Sequence, residues 1–483
     1  MLFNTLHFLL FYPLVTASYF ALPSRWRWLL LLSASCYFYM AFVPVYILIL
    51  AFTIAVDYVA GILIENAAGP RRRRFLLLSL FANVGVLAFF KYYGFATANL
   101  VGLASLIGWN YSIPALEILL PIGLSFHTFQ SMAYAVEVYR GNQKAERHLG
   151  IFALYVMFYP QLVAGPIERP QNLLPQLRAE HSFSYDDMTS GLRLMLWGLV
   201  KKMVIADRLA IYVNEVYGHL PKHSGTALVI ATVFFAFQIY CDFSGYSDVA
   251  IGSARTMGFR LMTNFQKPYL ARSIGEFWRR WHISLSTFFR DFVYIPLGGN
   301  RGSRLLVYRN LLVTFAVSGL WHGANWTFVA WGALHGGFMV ASEVSRGLRA
   351  RLTAAFGRAG APGFLLDGLS LLFTFVLVCL AWVFFRAASL ADATYVLTHM
   401  LDGTHLSLRG VETILGRKAS EFWIAVWSIV VLVFVEAVDA RLDLGRLLGR
   451  LPGPGRFLVY VSGGLLLMNL GIPDDLPFIY FQF

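Results

Sequence analysis

"LLVTFAVSGLWHGANWTFVAWGALHGGFMVA" runs from Leu311 to Ala341 without one Asp, Glu, Lys or Arg. Arg309 precedes it, and Arg346, Arg349 and Arg351 follow it. Basic flanks favour the cytoplasmic side, so both ends of the run belong there. One unbroken helix of this length would reach about 46 Å, against a hydrocarbon core of about 30 Å. The run therefore has to fold back or break, and Gly319, Gly323, Gly332, Gly336 and Gly337 supply the places. Irregular backbone at membrane depth is tolerated only where protein buries it or a water-filled cavity adjoins it. His322 stands eleven residues into the run, about 16 Å along a helix. An ionisable group at that depth is a candidate for function. His335, nearer the far end, reads as a packed core histidine.

The rest of the chain has the same character. Its 483 residues are 58% hydrophobic and only 13% charged, where a soluble domain carries about 25% charged residues. Long uncharged runs recur throughout: Met1–Ser24, Trp28–Val56, Phe75–Phe90, Tyr92–Leu116, Ile118–Val136, Leu149–Ile167, Ser224–Cys241, Leu369–Phe385 and Phe457–Pro473. A span needs about 17–25 mostly apolar residues. The expected fold class is all-α: a polytopic membrane protein of about 11 transmembrane helices, with re-entrant and surface helices besides. No separate soluble domain is legible. Residues 1–483 read as one membrane domain, with N-terminal spans in 1–136, a core in 149–341 and C-terminal spans in 369–483.

The net charge of +13 comes from 39 basic and 26 acidic residues scattered between the runs. Such scattering fits cytoplasmic loops and excludes a nucleic-acid-binding domain. Arg25 and Arg27 and the cluster Arg71–Arg74 should both be cytoplasmic, so Trp28–Ile64 crosses twice, turning near Pro44, and the N-terminus lies outside. Cys36, Cys241 and Cys379 have no metal or disulfide spacing and read as small hydrophobes. Gly191–Leu209 alternates apolar and charged residues at helical spacing, which suggests a helix on the membrane surface or at a protein-lined seam.

Ile251–Asn310 holds ten basic residues and two acidic ones, Glu276 and Asp291. Phe277, Trp281, Leu285, Phe288 and Phe292 fall on one helical face there. The pattern suits an interfacial helix, or a basic aromatic rim around Arg279 and Arg280 that attracts a polyanionic substrate. His282 lies on the same stretch. Neutral imidazole is the usual general base for a hydroxyl or thiol, and two histidines on separate elements can meet at one cavity. Asn325, three residues from His322, can share its helix face and donate to an oxyanion. Asp242 and Asp248 in "CDFSGYSD" suit a helix cap, or a group that orients a histidine. HExxH, GxSxG and GxxxxGK[ST] are all absent, and no metal site is expected.

Five stretches in order carry a resemblance. They are "LPIGLSFHTFQSMAYAVEVYRG" (Leu120–Gly141), "FYPQLVAGPIERP" (Phe158–Pro170), "QIYCDFSGYSDVAIGSARTMGF" (Gln238–Phe259), "FWRRWHISLSTFFRDFVYIPLGGNR" (Phe277–Arg301) and "SGLWHGANWTFVAWGALHG" (Ser318–Gly336). Together they resemble the membrane-bound O-acyltransferase family. The resemblance implies a central funnel with His322 as catalytic histidine and His282 as second site residue. Trp281, Arg279, Arg280 and Asn325 become its candidate substrate-binding residues. It further implies acetyl passed from cytoplasmic acetyl-CoA, with no permanently bound cofactor, to a periplasmic SGNH-type partner and on to a polysaccharide such as alginate. The location implied is a bacterial inner membrane. "YIPLGGN" at Tyr294–Asn300 favours the O-acetylating branch over the D-alanylating one. His127 departs from the pattern, standing where an aromatic residue is expected. A carrier-bound acyl donor, a transporter or flippase, and a non-catalytic scaffold are the rival readings.

Overall fold

The computed structural model describes residues 1–109, 121, 123–223, 225–358, 362–403, 419–472 and 478–481. The runs Tyr92–Leu116, Ile118–Val136, Ser224–Cys241 and Phe457–Pro473, and the start of the motif at Leu120, lie partly outside the described residues. The described backbone is helical, with no strand among the described residues. Its helices are α1 (Leu6–Ala21), α2 (Ser24–Met40), α3 (Ile47–Asn66), α4 (Gly69–Leu106), α5 (Leu124–Arg140), α6 (Leu149–Met157), α7 (Tyr159–Leu162), α8 (Pro170–Arg178) and α9 (Tyr185–Leu199). There follow α10 (Asp207–Gly218), α11 (Thr226–Thr256), α12 (Ile274–Arg280), α13 (Ile283–Phe289), α14 (Arg304–His322), α15 (Trp326–Val344), α16 (Arg346–Arg358) and α17 (Gly363–Arg386). The last are α18 (Leu390–His399), α19 (Ala419–Leu442), α20 (Leu444–Arg450) and α21 (Gly453–Leu470).

Five stretches among the described residues are long and apolar enough to cross a membrane: Pro44–Asn66, Gly69–Leu106, Thr226–Thr256, Gly363–Arg386 and Ala419–Leu442. Their outward faces are apolar too. Phe81 on α4 is 78% exposed and Phe434 on α19 is 66% exposed, the inverse of a water-soluble helix.

Residues cluster into two compact units, 1–195 with 246–262, and 196–245 with 263–483. In the first unit the expected turn at Pro44 is present as a 3-10 turn, Pro44–Tyr46, between α2 and α3. Proline's fixed φ and missing N–H place it there at no cost in hydrogen bonds. Asp57 of α3 is fully buried, and a buried carboxylate needs donors. Ser79 donates to it at 2.6 Å and Asn83 at 2.9 Å, tying α4 to α3.

In the second unit α14 and α15 form the fold-back required by the length of Leu311–Ala341, broken at Gly323–Asn325. Close approach makes two glycines obligatory. A Cβ on Gly319 would stand 2.3 Å from the Phe328 carbonyl oxygen, and one on Gly332 would stand 2.4 Å from that of Phe315. Small residues let membrane helices meet in this way. Gly332→Val is expected to cost at least about 1–3 kcal/mol through overpacking. The check is a fall in monodisperse yield on size-exclusion chromatography in detergent.

The structure decides one expectation and corrects another. Gly191–Leu209 takes the protein-lined alternative and not the membrane surface: it runs from α9 through a π-helical segment, Val200–Ala206, into α10. Lys202 and Asp207 are 3% and 2% exposed, and Lys202 Nζ lies 2.7 Å from Asp207 Oδ1 and 2.6 Å from Asp242 Oδ1. Periodicity alone does not separate a charged face in water from one paired inside. The single amphipathic face expected over Phe277–Phe292 is also absent, because α12 and α13 are separate short helices with Trp281 and His282 between them.

Candidate active site

His282 takes φ +42°, the left-handed region that few residues other than glycine occupy. Such a conformation persists where the surroundings over-determine it. Here the irregular chain ahead of α12 grips both sides: Ile283 N–H donates to Asn264 O at 2.9 Å, and Gln266 N–H to Arg280 O at 2.9 Å. The histidine thus sits fully buried at a fixed corner.

Asn264 also fixes the ring. Its Oδ1 accepts from the Ser284 N–H at 3.3 Å and from Ser284 Oγ at 2.9 Å. A backbone N–H can only donate, so the atom it faces is the amide oxygen. His282 Nδ1 lies 3.1 Å from that same oxygen and therefore donates to it. In the neutral ring Nε2 is then the basic nitrogen. Replacing Asn264 with alanine leaves three buried donors without this acceptor, and a loss of about 1–3 kcal/mol of stability is expected. A drop in melting temperature in detergent checks it, with Asn264→Asp, which keeps an acceptor, falling less.

His322 ends α14 and is 4% exposed. Ser303 caps the start of that helix by accepting from the Leu306 N–H. The turn after His322 closes when Asn325 Oδ1 accepts from the Thr327 N–H at 3.0 Å to start α15. The imidazole packs against Trp321 at 4.9 Å between ring centroids, Trp331 at 4.8 Å, Phe385 at 5.3 Å and Tyr480 at 5.8 Å. Two aromatic bridges join the histidines. Trp321 lies 6.3 Å from the His282 ring. Phe243 lies 4.6 Å from both His282 and Tyr480. The two expected histidines, forty residues apart in sequence, thus share one aromatic box within the second unit.

The other expected residues separate. Arg279 is exposed and borders a cavity with Trp278. Arg280 is held by Glu276 Oε1 at 2.6 Å. Trp281 is 1% exposed and packs among Phe265, Phe277 and Trp382, so it serves the core. Asn325 does not share a helix face with His322, because α14 has ended. Its Oδ1 caps α15 and its Nδ2 donates to Ala388 O at 3.0 Å. His335 is a packing residue, as expected: Nδ1 accepts from Trp278 Nε1 at 3.3 Å, and the ring stands 4.9 Å from Trp331. His127 belongs to the first unit and is buried in α5. Asp242 is not at a helix end. It lies inside α11, paired with Lys202, and its Oδ2 accepts from the Ile479 N–H at 2.7 Å.

That last bond reveals what sequence reasoning missed. The short 3-10 turn Ile479–Phe481 is anchored on Asp242, and this brings Tyr480 against His322. Asn264 was missed as well, since it stands in irregular chain 18 residues before its histidine. Among the described residues no group of three His, Cys, Asp or Glu could hold a metal ion.

Residues 148–385, which include both histidines, match the family profile of MBOAT, the membrane-bound O-acyltransferase family. The probable alginate O-acetylase AlgI of Pseudomonas aeruginosa is 41% identical over 397 residues, covering 81% of this chain and 73% of that protein. A peptidoglycan O-acetyltransferase of Helicobacter pylori is 37% identical over 458 residues, covering 87% and 83%. The teichoic acid D-alanyltransferase of Streptococcus thermophilus is 30% identical over 239 residues, 44% of this chain and 55% of that protein. With apolar spans, a buried pair of histidines in one aromatic box and relatives matched over most of their length, the chain belongs to the membrane-bound O-acyltransferase family and is an acyltransferase.

Proposed function

We propose that the protein takes acetyl from cytoplasmic acetyl-CoA and passes it across a bacterial inner membrane for O-acetylation of an extracytoplasmic polysaccharide such as alginate. The observation that carries the reading is the box joining His322 to His282, whose Nδ1 is committed to Asn264. The O-acetyl chemistry follows the two relatives named for it, which cover far more of the chain than the D-alanyl relative.

In a direct transfer, His322 takes the proton of the attacking hydroxyl as its oxygen bonds to the acetyl carbon. The carbon–sulfur bond breaks, and the proton passes to the leaving thiolate, giving ester and CoA thiol. In a relay, a neutral His322 nitrogen attacks the acetyl carbon first, the carbon–sulfur bond breaks and CoA leaves as thiolate; the hydroxyl then attacks the acyl-imidazole, imidazole leaves as the ester forms, and the hydroxyl proton balances the thiolate to give CoA thiol. His282 positions the donor or the acceptor hydroxyl. An SGNH-type periplasmic partner is the proposed recipient. On this reading the chain crosses the membrane about eleven times, with the N-terminus outside.

The test gives radiolabelled acetyl-CoA to purified protein in nanodiscs, wild type beside His322→Ala. Release of CoA by the wild type that vanishes in the variant supports acetyl transfer at His322. Label retained on the protein supports the relay. No CoA release by the wild type with acceptor present sinks the reading and favours a carrier-bound donor or transport.

A further inference from the structure

Asp57 stands ten residues into α3, about 15 Å from its start and so near the middle of the span Pro44–Asn66. An ionisable group at that depth is expensive and marks a candidate site. The carboxyl group is fully buried, and among the described residues no cation is paired with it. The groups that reach it are neutral: Ser79 and Asn83 of α4, and Ser131 of α5. Ser79 Oγ donates to Oδ1, and Asn83 Nδ2 donates to both carboxylate oxygens at 2.9 Å. Such bonds are strongest to an ionised acceptor. One negative charge is then left in a medium of low dielectric, where an unpaired charge is costly.

Oxygen atoms without hydrogen-bond partners stand around this charge. Asn83 Nδ2 also donates to Ser79 O at 3.0 Å, which fixes the amide and leaves its Oδ1 unpartnered. Ser131 approaches the carboxylate but closes no hydrogen bond of ordinary length, so its oxygen is unpartnered too. The same holds for the Thr128 hydroxyl, one turn earlier on that face of α5. All three residues are fully buried. Thr53, one turn before Asp57, adds a further buried hydroxyl. Orphaned buried polar atoms in a folded protein call for an explanation. Water would satisfy some of them and leave the charge, and a divalent ion would overcompensate it. Hard cations take carboxylate, carbonyl and other oxygen ligands. A single alkali cation serves the oxygens and brings the net charge to zero.

We infer that Asp57, Ser131 and the oxygens beside them bind one sodium-like cation, locking α3, α4 and α5 together inside the first unit. The site departs from the expectation of no metal, and it differs from a cluster of three His, Cys, Asp or Glu in having one carboxylate and otherwise neutral oxygens. It is independent of acyl transfer, so neither reading falls with the other.

Sodium ion is the probe. The full-length protein in detergent is unfolded thermally while sodium chloride replaces choline chloride at constant ionic strength. An ion bound only by the folded state stabilises it by mass action. The melting temperature is expected to climb about 2–4 °C per tenfold rise in sodium above the dissociation constant. Asp57→Asn keeps the shape and removes the charge, and it should flatten this dependence and abolish equilibrium uptake of radioactive sodium. Ser131→Ala should keep the dependence and move its midpoint to higher sodium. If Asp57→Asn does not fold, that shift decides. A melting temperature indifferent to sodium, which water alone in the site predicts, overturns the inference. An equal sodium response in Asp57→Asn does the same. Stability that follows pH through Asp57 but ignores sodium places a proton there and overturns it as well.

Discussion

His322→Ala should lower the initial rate of CoA release from acetyl-CoA about 10²–10⁴-fold, the range over which positioned proton transfer contributes. Because the variant also loses a buried ring packed on Trp321, Trp331, Phe385 and Tyr480, rates are compared at matched folded fraction. His282→Ala should also cut the rate, and more of its cost should appear as instability, because the ring is fully buried and bonded to Asn264. His335→Ala provides the contrast. It strands the Trp278 indole N–H and should lower stability, while folded molecules keep most of their turnover. The three profiles together separate chemistry from packing. Near-normal rates in a well-folded His322→Ala protein would falsify the assignment.

How much of this was visible in the chain depended on the range of the interaction. Apolar runs and basic clusters act locally, so the helical membrane class, the turn at Pro44 and the fold-back after His322 were all legible. His282 and His322 were legible for a related reason: each interrupts an apolar or aromatic stretch where a polar side chain is costly. The failures came where a tertiary partner changed the meaning of a local pattern. Lys202 and Asp207 suit either the wet side of an amphipathic helix or a protein-lined seam, and only Asp242 beside them decides for the seam. Trp281 looked like a binding platform, and Phe265 and Trp382 make it core. Asn325 lost its shared face because three residues count as one turn only where the helix continues. Asn264 and Tyr480 gave no signal at all, since nothing in irregular chain announces which distant histidine it will meet.

The other large effect is expected at the buried charges of the second unit. Lys202→Met leaves Asp207 and Asp242 facing each other without a cation, and removing one partner of a buried pair costs about 3–5 kcal/mol. Adding Asp242→Asn should return part of that loss, because one of the two uncompensated charges is gone and Asn Oδ1 can still accept from the Ile479 N–H. A double-mutant cycle read by thermal unfolding in detergent measures the coupling. Purely additive effects would contradict the pairing. Activity should follow a different order: Asp242→Ala, which removes the acceptor for Ile479, should damage turnover more than Asp242→Asn at matched stability.

The anchoring of Ile479 on Asp242 also has a meaning in time. Tyr480 emerges 158 residues after His322, so at about 5–20 residues per second the ribosome needs roughly 8–30 s to make the intervening chain. Throughout that interval both histidines already exist while the ring that packs against His322 does not. A nascent molecule therefore holds both histidines in an unfinished aromatic box until the tail docks on Asp242.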